Sequence, residues 1–303
     1  MASQGPQLHM VDVFGTSGFD GNPVAVVLGG DGLSAEDMLR ITRWFNLSET
    51  VFVLPATSPE ADYRARIFTP DRELPFAGHP TLGACHVWLE TSAGSGKGTG
   101  TPDDGRHHNG AVPAAGDFVQ ECGAGLVRLR RSDSGVLSFA APPLLREGPT
   151  TSEELDEAAR FLGISTDDII DSAWIDNGPG WLGIRLASAD EVLALLPAAS
   201  WPRVLDIGVV GPHAAHDEDI DFEVRALFST ESGAVVEDPV TGSLNASVAG
   251  WLRESGVVDG PYVAAQGTVL GRRGRVFASF DSDGNARIGG RTVTHATGPL
   301  TGL

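Results

Sequence analysis

Residues 78–84 read GHPTLGA, and residues 237–246 read EDPVTGSLNA. Each stretch holds a proline that is followed, after two further residues, by a glycine, and a polar residue, His79 or Asp238, precedes the proline. An apolar run at helical spacing comes next. Proline fits the first turn of a helix, where its missing N–H is not needed. The two stretches therefore predict two helix N-termini, one in each half of the chain, with the prolines in their first turns.

A second repeat lies upstream of each stretch. The sequence WIDNGPGWLGIRL (174–186) resembles GFDGNPVAVVL (18–28), because each places Asn and Pro beside Gly ahead of an alternating strand. The runs MVDVF and PVAVVL flank a Gly-rich turn at 15–22 and predict a hairpin. Ser34 then predicts the start of an amphipathic helix that ends near Asn46, and TVFVLP predicts a buried strand. A duplicated fold of strands and helices accounts for this order.

Length and composition allow two domains. With 303 residues and 41% hydrophobic content, each half can build its own core. The segment TSEELDEAARFLG predicts a helix that begins at a capping signature and ends at Gly163, and a linker with Pro and Gly precedes it. We predict an N-terminal domain over 1–145 and a C-terminal domain over 146–303, whose last strand could return to the first domain. Residues 91–117 hold almost no large apolar side chain and predict a mobile surface insertion.

Charge and motifs exclude several classes of function. The 40 acidic and 21 basic residues leave a net charge of −19, which would repel nucleic acid and the anionic face of a membrane. No run reaches the length of a membrane span, no signal sequence opens the chain, and two cysteines suit a reducing compartment, so we expect a cytoplasmic protein. The sequence has no phosphate-binding loop and no zinc motif, and it predicts neither a cofactor nor a metal.

The two predicted helix N-termini are suited to binding an anion. A helix start presents N–H groups and about half a positive charge, which stabilise a carboxylate or a developing enolate. The residues there are small or polar and let a ligand approach the backbone: Gly78 in the first half, and Thr241, Gly242 and Ser243 in the second. The pattern predicts binding of a small carboxylate, although turns rich in Gly and Pro also occur without any ligand.

Three titratable residues are candidates for the chemistry. Glu49 precedes a strongly apolar strand, where burial would raise its pKa into a range useful for proton transfer; an exposed charge at a strand start is the alternative. His79 could carry a proton near neutral pH or could simply cap a helix. Asp238 could bind the ligand or cap the following helix, and we rank it above its neighbour Glu237.

Six motifs together resemble the PhzF-like family, which has the diaminopimelate-epimerase-like fold. They occur in the family's order and cover most of the chain outside 91–117: VDVFGTSGFDGNPVAVVL, NLSETVFV, RIFTPDRELPFAGHPTLGA, DNGPGWLGIRL, EDPVTGSLNASVAGWL and QGTVLGRRGRV. The resemblance implies an α+β fold of two pseudo-symmetric domains, each a mixed, curled β-sheet around a central helix. It also implies an active site in the cleft between the domains and a homodimer as the common oligomeric state.

The resemblance further implies catalytic roles. Glu49 would move a proton from one carbon to another, His79 and Asp238 would hold and polarise the substrate, and Gly78, Gly242 and Ser243 would line the anion site. Racemases and epimerases of this fold carry a cysteine at each helix start, but neither stretch here has one.

We therefore expect a cofactor-independent isomerase that shifts a double bond or tautomerises an amino-acid-derived carboxylate. The resemblance points to secondary metabolism, of the phenazine-like or alkylproline-type antibiotic kind. The alternatives are an amino-acid racemase or epimerase, which needs a second base, and a non-catalytic binding protein of the same fold.

Overall fold

Short β-branched and aromatic runs, each ended by a turn rich in Gly, Asn or Pro, build the first part of the chain. The computed structural model describes residues 5–95, 115–214 and 219–302. The chain divides into two units, Met1–Ala140 with Gly289–Leu303, and Ala141–Ile288. The elements up to the division are β1 (Gln7–Val13), β2 (Asn22–Leu28), α1 (Ala35–Phe45), β3 (Thr50–Leu54), β4 (Tyr63–Phe68), β5 (Glu73–Leu74), α2 (Gly78–Ser95), β6 (Gly116–Cys122), β7 (Gly125–Arg131) and β8 (Leu137–Ala140).

The second unit alternates strands and helices in a similar order. Its elements are β9 (Arg146–Pro149), α3 (Ser152–Leu162), β10 (Asp171–Asp176), β11 (Trp181–Arg185), α4 (Ala189–Ala194), β12 (Asp206–Pro212), β13 (Phe222–Ser229), β14 (Val235–Asp238), α5 (Gly242–Glu254), β15 (Tyr262–Gln266) and β16 (Gly274–Phe280). Strand β17 (Ala286–Gly290) spans the division, and β18 (Thr292–Pro299) belongs to the first unit. Strand β18, the last strand, pairs with β1 in an antiparallel arrangement.

Both units follow one pairing plan. An antiparallel hairpin comes first, β1–β2 or β10–β11, and its second strand pairs in parallel with the next, β2–β3 or β11–β12. Antiparallel pairs follow, β3–β4 and β12–β13. A parallel pair, β4–β6 or β13–β15, then closes a crossover that contains the helix α2 or α5. Each unit is therefore a mixed sheet with one long helix against it, and the predicted α+β class with a duplicated plan is confirmed.

Side-chain caps fix the starts of the two amphipathic helices that the sequence predicts, and residues in the left-handed conformation end both helices. Ser34 caps α1 in a capping box with Asp37, and Asn46 ends the helix in the left-handed conformation at φ 54°. Thr151 and Glu154 form the same box at α3, which ends at Gly163. The hairpin, β3 and both helices lie where the sequence predicts them. These helices pack on separate apolar cores, one in each unit.

The structure corrects one helix start. The long helix α2 begins at Gly78, so Pro80 lies in its first turn as expected. Helix α5 begins only at Gly242, three residues after Pro239, and the prediction that Pro239 occupies its first turn is wrong. Residues up to Asp238 are still part of β14, because they pair with β13. The corresponding pairs at the two helix starts are therefore Gly78 with Gly242 and His79 with Ser243.

The predicted insertion at 91–117 is bounded by regular structure. Helix α2 runs to Ser95 and strand β6 begins at Gly116, so both ends of the predicted range belong to regular elements. Residues 96–114, which make up most of that range, lie outside the described residues. In the chain as described, no helix is long and apolar enough to cross a membrane.

Candidate functional site

Glu49 and His79 lie together in the first unit. Glu49 occupies the connection between α1 and β3, one residue before the strand begins, and His79 is the second residue of α2. The Glu49 Oε2 atom is 3.6 Å from Nε2 of His79, and their side chains are 17% and 6% exposed. Two residues that sequence reasoning selected separately are thus neighbours, at a helix N-terminus that favours negative charge.

Hydrogen bonding determines which nitrogen of His79 carries the proton. The ring bonds the backbone of Pro23 on β2, and because proline has no backbone N–H, its carbonyl must accept and the ring must donate. Within the described part of the chain, Nε2 of His79 has no hydrogen-bond partner, so the donor is Nδ1. In the neutral ring, Nε2 then carries a lone pair that faces the Glu49 carboxyl group and can accept a hydrogen bond.

Burial keeps this imidazole neutral. The His79 side chain is almost entirely removed from water, and desolvation lowers its pKa to about 3, despite the hydrogen bond to Pro23 that favours the charged form. The expectation that His79 titrates near neutral pH is therefore wrong. The cause is tertiary: the start of α2 is packed against the sheet, and sequence alone does not report that packing.

Asp238 and Thr241 form the corresponding site in the second unit. Asp238 ends β14, and its Oδ2 accepts a hydrogen bond from the hydroxyl of Thr241, the residue immediately before α5. Thr241 has extended backbone angles of φ −110° and ψ 105° and does not cap the helix with its own side chain. Its hydroxyl is instead directed back to the carboxylate that precedes the turn.

The start of α5 is tied to the hairpin loop between β10 and β11. The amide Nδ2 of Asn177 donates to the backbone carbonyl of Ser243 at 2.9 Å, and Nε1 of Trp181 donates to the Ser243 hydroxyl at 3.2 Å. Gly242, the first residue of the helix, is buried. The motif DNGPGW thus supplies polar groups to the helix start, a role for Asn177 and Trp181 that the sequence alone does not indicate.

Glu237 has a structural partner. Both of its carboxylate oxygens accept from Arg225, at 3.1 and 2.7 Å, and the two side chains are 9% and 4% exposed. The same guanidinium also donates to the carbonyls of Val192 and Leu195, beside α4. A buried carboxylate held in this way joins α4 to β13, and the ranking of Asp238 above Glu237 as the ligand-binding carboxylate stays a prediction.

No cluster of side chains that could bind a metal ion lies in the described ranges 5–95, 115–214 and 219–302. They contain no group of three or more His, Cys, Asp or Glu side chains that could hold a metal ion. The two cysteines are also poor thiolate candidates, since burial raises the pKa of Cys85 to about 12 and raises the pKa of Cys122 as well. The groups available for chemistry at the two helix starts are therefore carboxylates, an imidazole and hydroxyls.

Comparison with known proteins identifies the family. A family model described as phenazine biosynthesis-like protein matches residues 11–298. The chain belongs to the phenazine biosynthesis-like, or PhzF, family. Among curated relatives, Antisense-enhancing sequence 1 of Schizosaccharomyces pombe is 34% identical, with 95% of this chain and 96% of the relative covered. An uncharacterized isomerase of Pasteurella multocida is 33% identical, with coverage of 96% and 93%.

A relative with a named reaction covers the PhzF-family chain just as fully. The trans-2,3-dihydro-3-hydroxyanthranilate isomerase of Pseudomonas chlororaphis is 31% identical over 96% of this chain and 98% of its own. Several relatives carry the name isomerase, and they support an isomerase activity for this chain.

Solved structures show the fold. A Bacillus anthracis phenazine biosynthesis protein of the PhzF family has a TM-score of 0.77 at 21% identity, covering 97% of this chain and 98% of its own. A hydroxyproline epimerase from Agrobacterium vitis has a TM-score of 0.52 at 14% identity, covering 98% and 92%. The diaminopimelate-epimerase-like fold expected from the resemblance is confirmed.

Proposed function

We propose that this PhzF-family protein is a cofactor-independent isomerase that moves a proton between two carbons of a small, amino-acid-derived carboxylate. The observation that carries the proposal is the contact between the partly buried Glu49 and the buried His79 at the start of α2, with 3.6 Å between Oε2 of the carboxyl group and Nε2 of the imidazole. A carboxylate that faces a neutral, hydrogen-bond-accepting nitrogen can take up a proton and release it without a metal.

In the proposed reaction, Glu49 removes a proton from a carbon next to an unsaturated system. The electron pair left behind delocalises into that system, and the N–H groups of the helix starts at Gly78, Gly242 and Ser243 stabilise the resulting negative charge. Glu49, whose acquired proton can exchange with water, then delivers a proton to a different carbon, so the double bond moves, the composition of the substrate is unchanged and deuterium enters from D2O. His79 accepts a hydrogen bond through Nε2, and Asp238 binds a donor group of the substrate.

The relatives that are named trans-2,3-dihydro-3-hydroxyanthranilate isomerase support a proposal for the substrate class. We propose an amino-acid-derived carboxylate of secondary metabolism, and this compound is the first probe. The cytoplasmic location and the homodimer stay predictions.

The test measures deuterium uptake into trans-2,3-dihydro-3-hydroxyanthranilate in D2O, by mass spectrometry and NMR, for the wild type and for Glu49→Gln. Removing a general acid/base costs about 10²- to 10⁴-fold in rate, and we expect a loss of that size. Glu60→Gln is the matched control, because Glu60 is an exposed glutamate of the same unit.

The outcomes separate the hypotheses. Uptake with a shifted double bond that requires Glu49 supports the isomerase. Inversion of configuration without a shift favours a racemase or epimerase. Uptake that persists in Glu49→Gln overturns the role of Glu49, and no uptake by the wild type overturns the proposed substrate and leaves a non-catalytic binding protein to be considered.

A further inference from the structure

Gln266, the last residue of β15, is fully buried and makes four hydrogen bonds around the turn before α5. Its Oε1 accepts from the backbone N–H of Thr241 at 3.0 Å and from Nδ2 of Asn245 at 2.7 Å. Its Nε2 donates to the carbonyl of Asp238 at 3.1 Å and to the hydroxyl of Thr241 at 2.9 Å. One side chain therefore holds both ends of the Asp238–Thr241 turn.

The neighbours fix the orientation of this amide. A backbone N–H can only donate and a carbonyl can only accept, so the atom facing Thr241 N must be oxygen and the atom facing Asp238 O must be nitrogen. Because the Gln266 nitrogen donates to the Thr241 hydroxyl, that hydroxyl keeps its own hydrogen for the Asp238 carboxylate. The hydrogen bonds run in one direction, from Gln266 through Thr241 to Asp238.

The first unit has a related glutamine with a narrower role. Gln120 on β6 is also fully buried, and its Nε2 donates to the hydroxyl of Thr81 on α2 at 3.0 Å. Its Oε1 accepts from the hydroxyl of Tyr63 at 3.1 Å. Strands β6 and β15 occupy equivalent places in the pairing plan, since each pairs in parallel with the strand at which its crossover opens, β4 or β13. Gln120 thus anchors the helix, whereas Gln266 anchors the helix and also the carboxylate-bearing turn.

We propose that Gln266 is a positioning residue, which sets the Thr241 hydroxyl as a donor to Asp238 and so fixes the carboxylate for the substrate. This inference rests on the proposed function. It also changes the role predicted for Thr241: the hydroxyl serves Asp238 and does not bind the substrate itself. Residues in a buried, fully satisfied hydrogen-bond network have defined positions, and a small displacement of a catalytic group can cost up to about 100-fold in rate.

The test combines turnover with hydrogen–deuterium exchange of the full chain. Gln266→Met keeps the length of the side chain and removes all four hydrogen bonds. Thr241→Val removes only the hydroxyl, and it also serves if Gln266→Met fails to fold. Ser229→Ala is the matched control, because Ser229 is a buried residue on β13 whose hydroxyl bonds backbone groups of Arg203 and Leu205. The Ser229→Ala variant measures how the loss of a buried hydrogen bond outside the Asp238–Thr241 turn affects kcat and exchange.

We expect Gln266→Met to lower kcat for trans-2,3-dihydro-3-hydroxyanthranilate by about 10- to 100-fold and to speed exchange in residues 236–245. Thr241→Val also lowers kcat. Thr241→Ser, which keeps the hydroxyl, retains most of the wild-type kcat. The double variant Thr241→Val with Gln266→Met is no worse than Gln266→Met alone, since both act through one chain of hydrogen bonds.

The inference is overturned if Gln266→Met behaves like Ser229→Ala in both kcat and exchange of the turn, or if the losses in the double variant multiply. If the wild type does not convert the probe, the proposed substrate fails, and the exchange experiment still decides the inference. Faster exchange confined to residues 236–245 then supports positioning of the turn by Gln266, and unchanged exchange there rejects it.

Discussion

The starts of α2 and α5 differ more than the sheets against which they lie. Both helices close a crossover between parallel strands, and a buried glutamine on the following strand bonds a residue of each. At α2 the second residue is a buried imidazole beside a carboxylate. At α5 it is Ser243, whose hydroxyl accepts from Trp181. The pairing plan has been kept in both units, while the side chains at the helix starts have diverged.

This difference indicates a division of labour. The first unit places a carboxyl group, the proposed proton carrier, next to a neutral acceptor, and the second unit places a carboxylate within a network of donors. A two-base racemase would be better served by the same base at both helix starts. The asymmetry of His79 and Ser243 therefore favours proton transfer by one carboxylate, as in the proposed isomerase, and the following changes test how the two regions differ.

The largest effect that we expect separates two neighbouring carboxylates of the second unit. Glu237→Gln leaves the buried guanidinium of Arg225 without its charged partner, and breaking a buried ion pair costs about 3–5 kcal/mol of stability. Asp238→Asn keeps an oxygen to accept from Thr241, so its stability stays near wild type while kcat/KM falls about 100-fold. Urea unfolding and the deuterium assay measure the two effects. An equally stable Glu237→Gln variant would show that the ion pair does not stabilise the fold.

The sequence predicts elements whose signals are local. Ser34 and Asn46 bound α1 because capping depends on residues within one turn, and the hairpin at 15–22 follows from its turn and its two apolar runs. The repeat also predicts the duplicated plan. The start of α5 is different, because Pro239 signals a helix while pairing of β14 with β13 keeps the chain extended to Asp238. A tertiary pairing overrides a local preference there.

The site is only partly predictable for a similar reason. Glu49, His79 and Asp238 lie in short motifs, but Pro23, which His79 contacts, and Gln266, which bonds Asp238, lie on distant strands. Gln266 belongs to the motif QGTVLGRRGRV, yet its bonds to Asp238 and Thr241 exist only once β15 lies beside β13. A buried polar residue in an apolar strand was the available signal, since such a side chain requires hydrogen-bond partners. The pKa of His79 also depends on burial that the sequence does not encode locally.

A smaller effect distinguishes the packing of the two long helices. A Cβ at Gly83 of α2 would lie 2.6 Å from Cγ1 of the buried Val24, whereas a Cβ at Gly250 of α5 meets nothing within 4 Å. Gly83→Ala therefore destabilises the fold by about 1–3 kcal/mol through overpacking. Gly250→Ala stabilises it by about 0.5–1 kcal/mol, because alanine is the better helix former. Thermal unfolding of both variants measures the contrast, and equal changes would show that α2 can move away from β2.

The smallest effect that we expect concerns stability at acid pH. As the pH falls, a buried group of the first unit loses its contribution to stability, whereas a buried group of the second unit gains one. Burial lowers the pKa of His79 from 6.5 to about 3, so its contribution to stability is present above pH 6.5 and is lost as the pH falls toward 3. Burial, with repulsion from Asp176, raises the pKa of Asp206 from 3.8 to about 6. The folded state therefore retains this proton, and stability from Asp206 is present below pH 3.8 and lost as the pH rises through 6.

Asp206→Asn removes the cost of the buried charge, so it should stabilise the protein at pH 7. Each unit of pKa corresponds to about 1.4 kcal/mol, and because Asp206 is only partly buried, we expect a gain of about 1–2 kcal/mol. The gain should shrink on acidification and vanish near pH 3.8, where the unfolded carboxylate is half protonated. Urea unfolding of wild type and variant at pH 4, 5, 6 and 7 measures it. A difference that does not change with pH would mean that the substituted amide acts through packing and hydrogen bonding, and that the acid response of this unit has another origin.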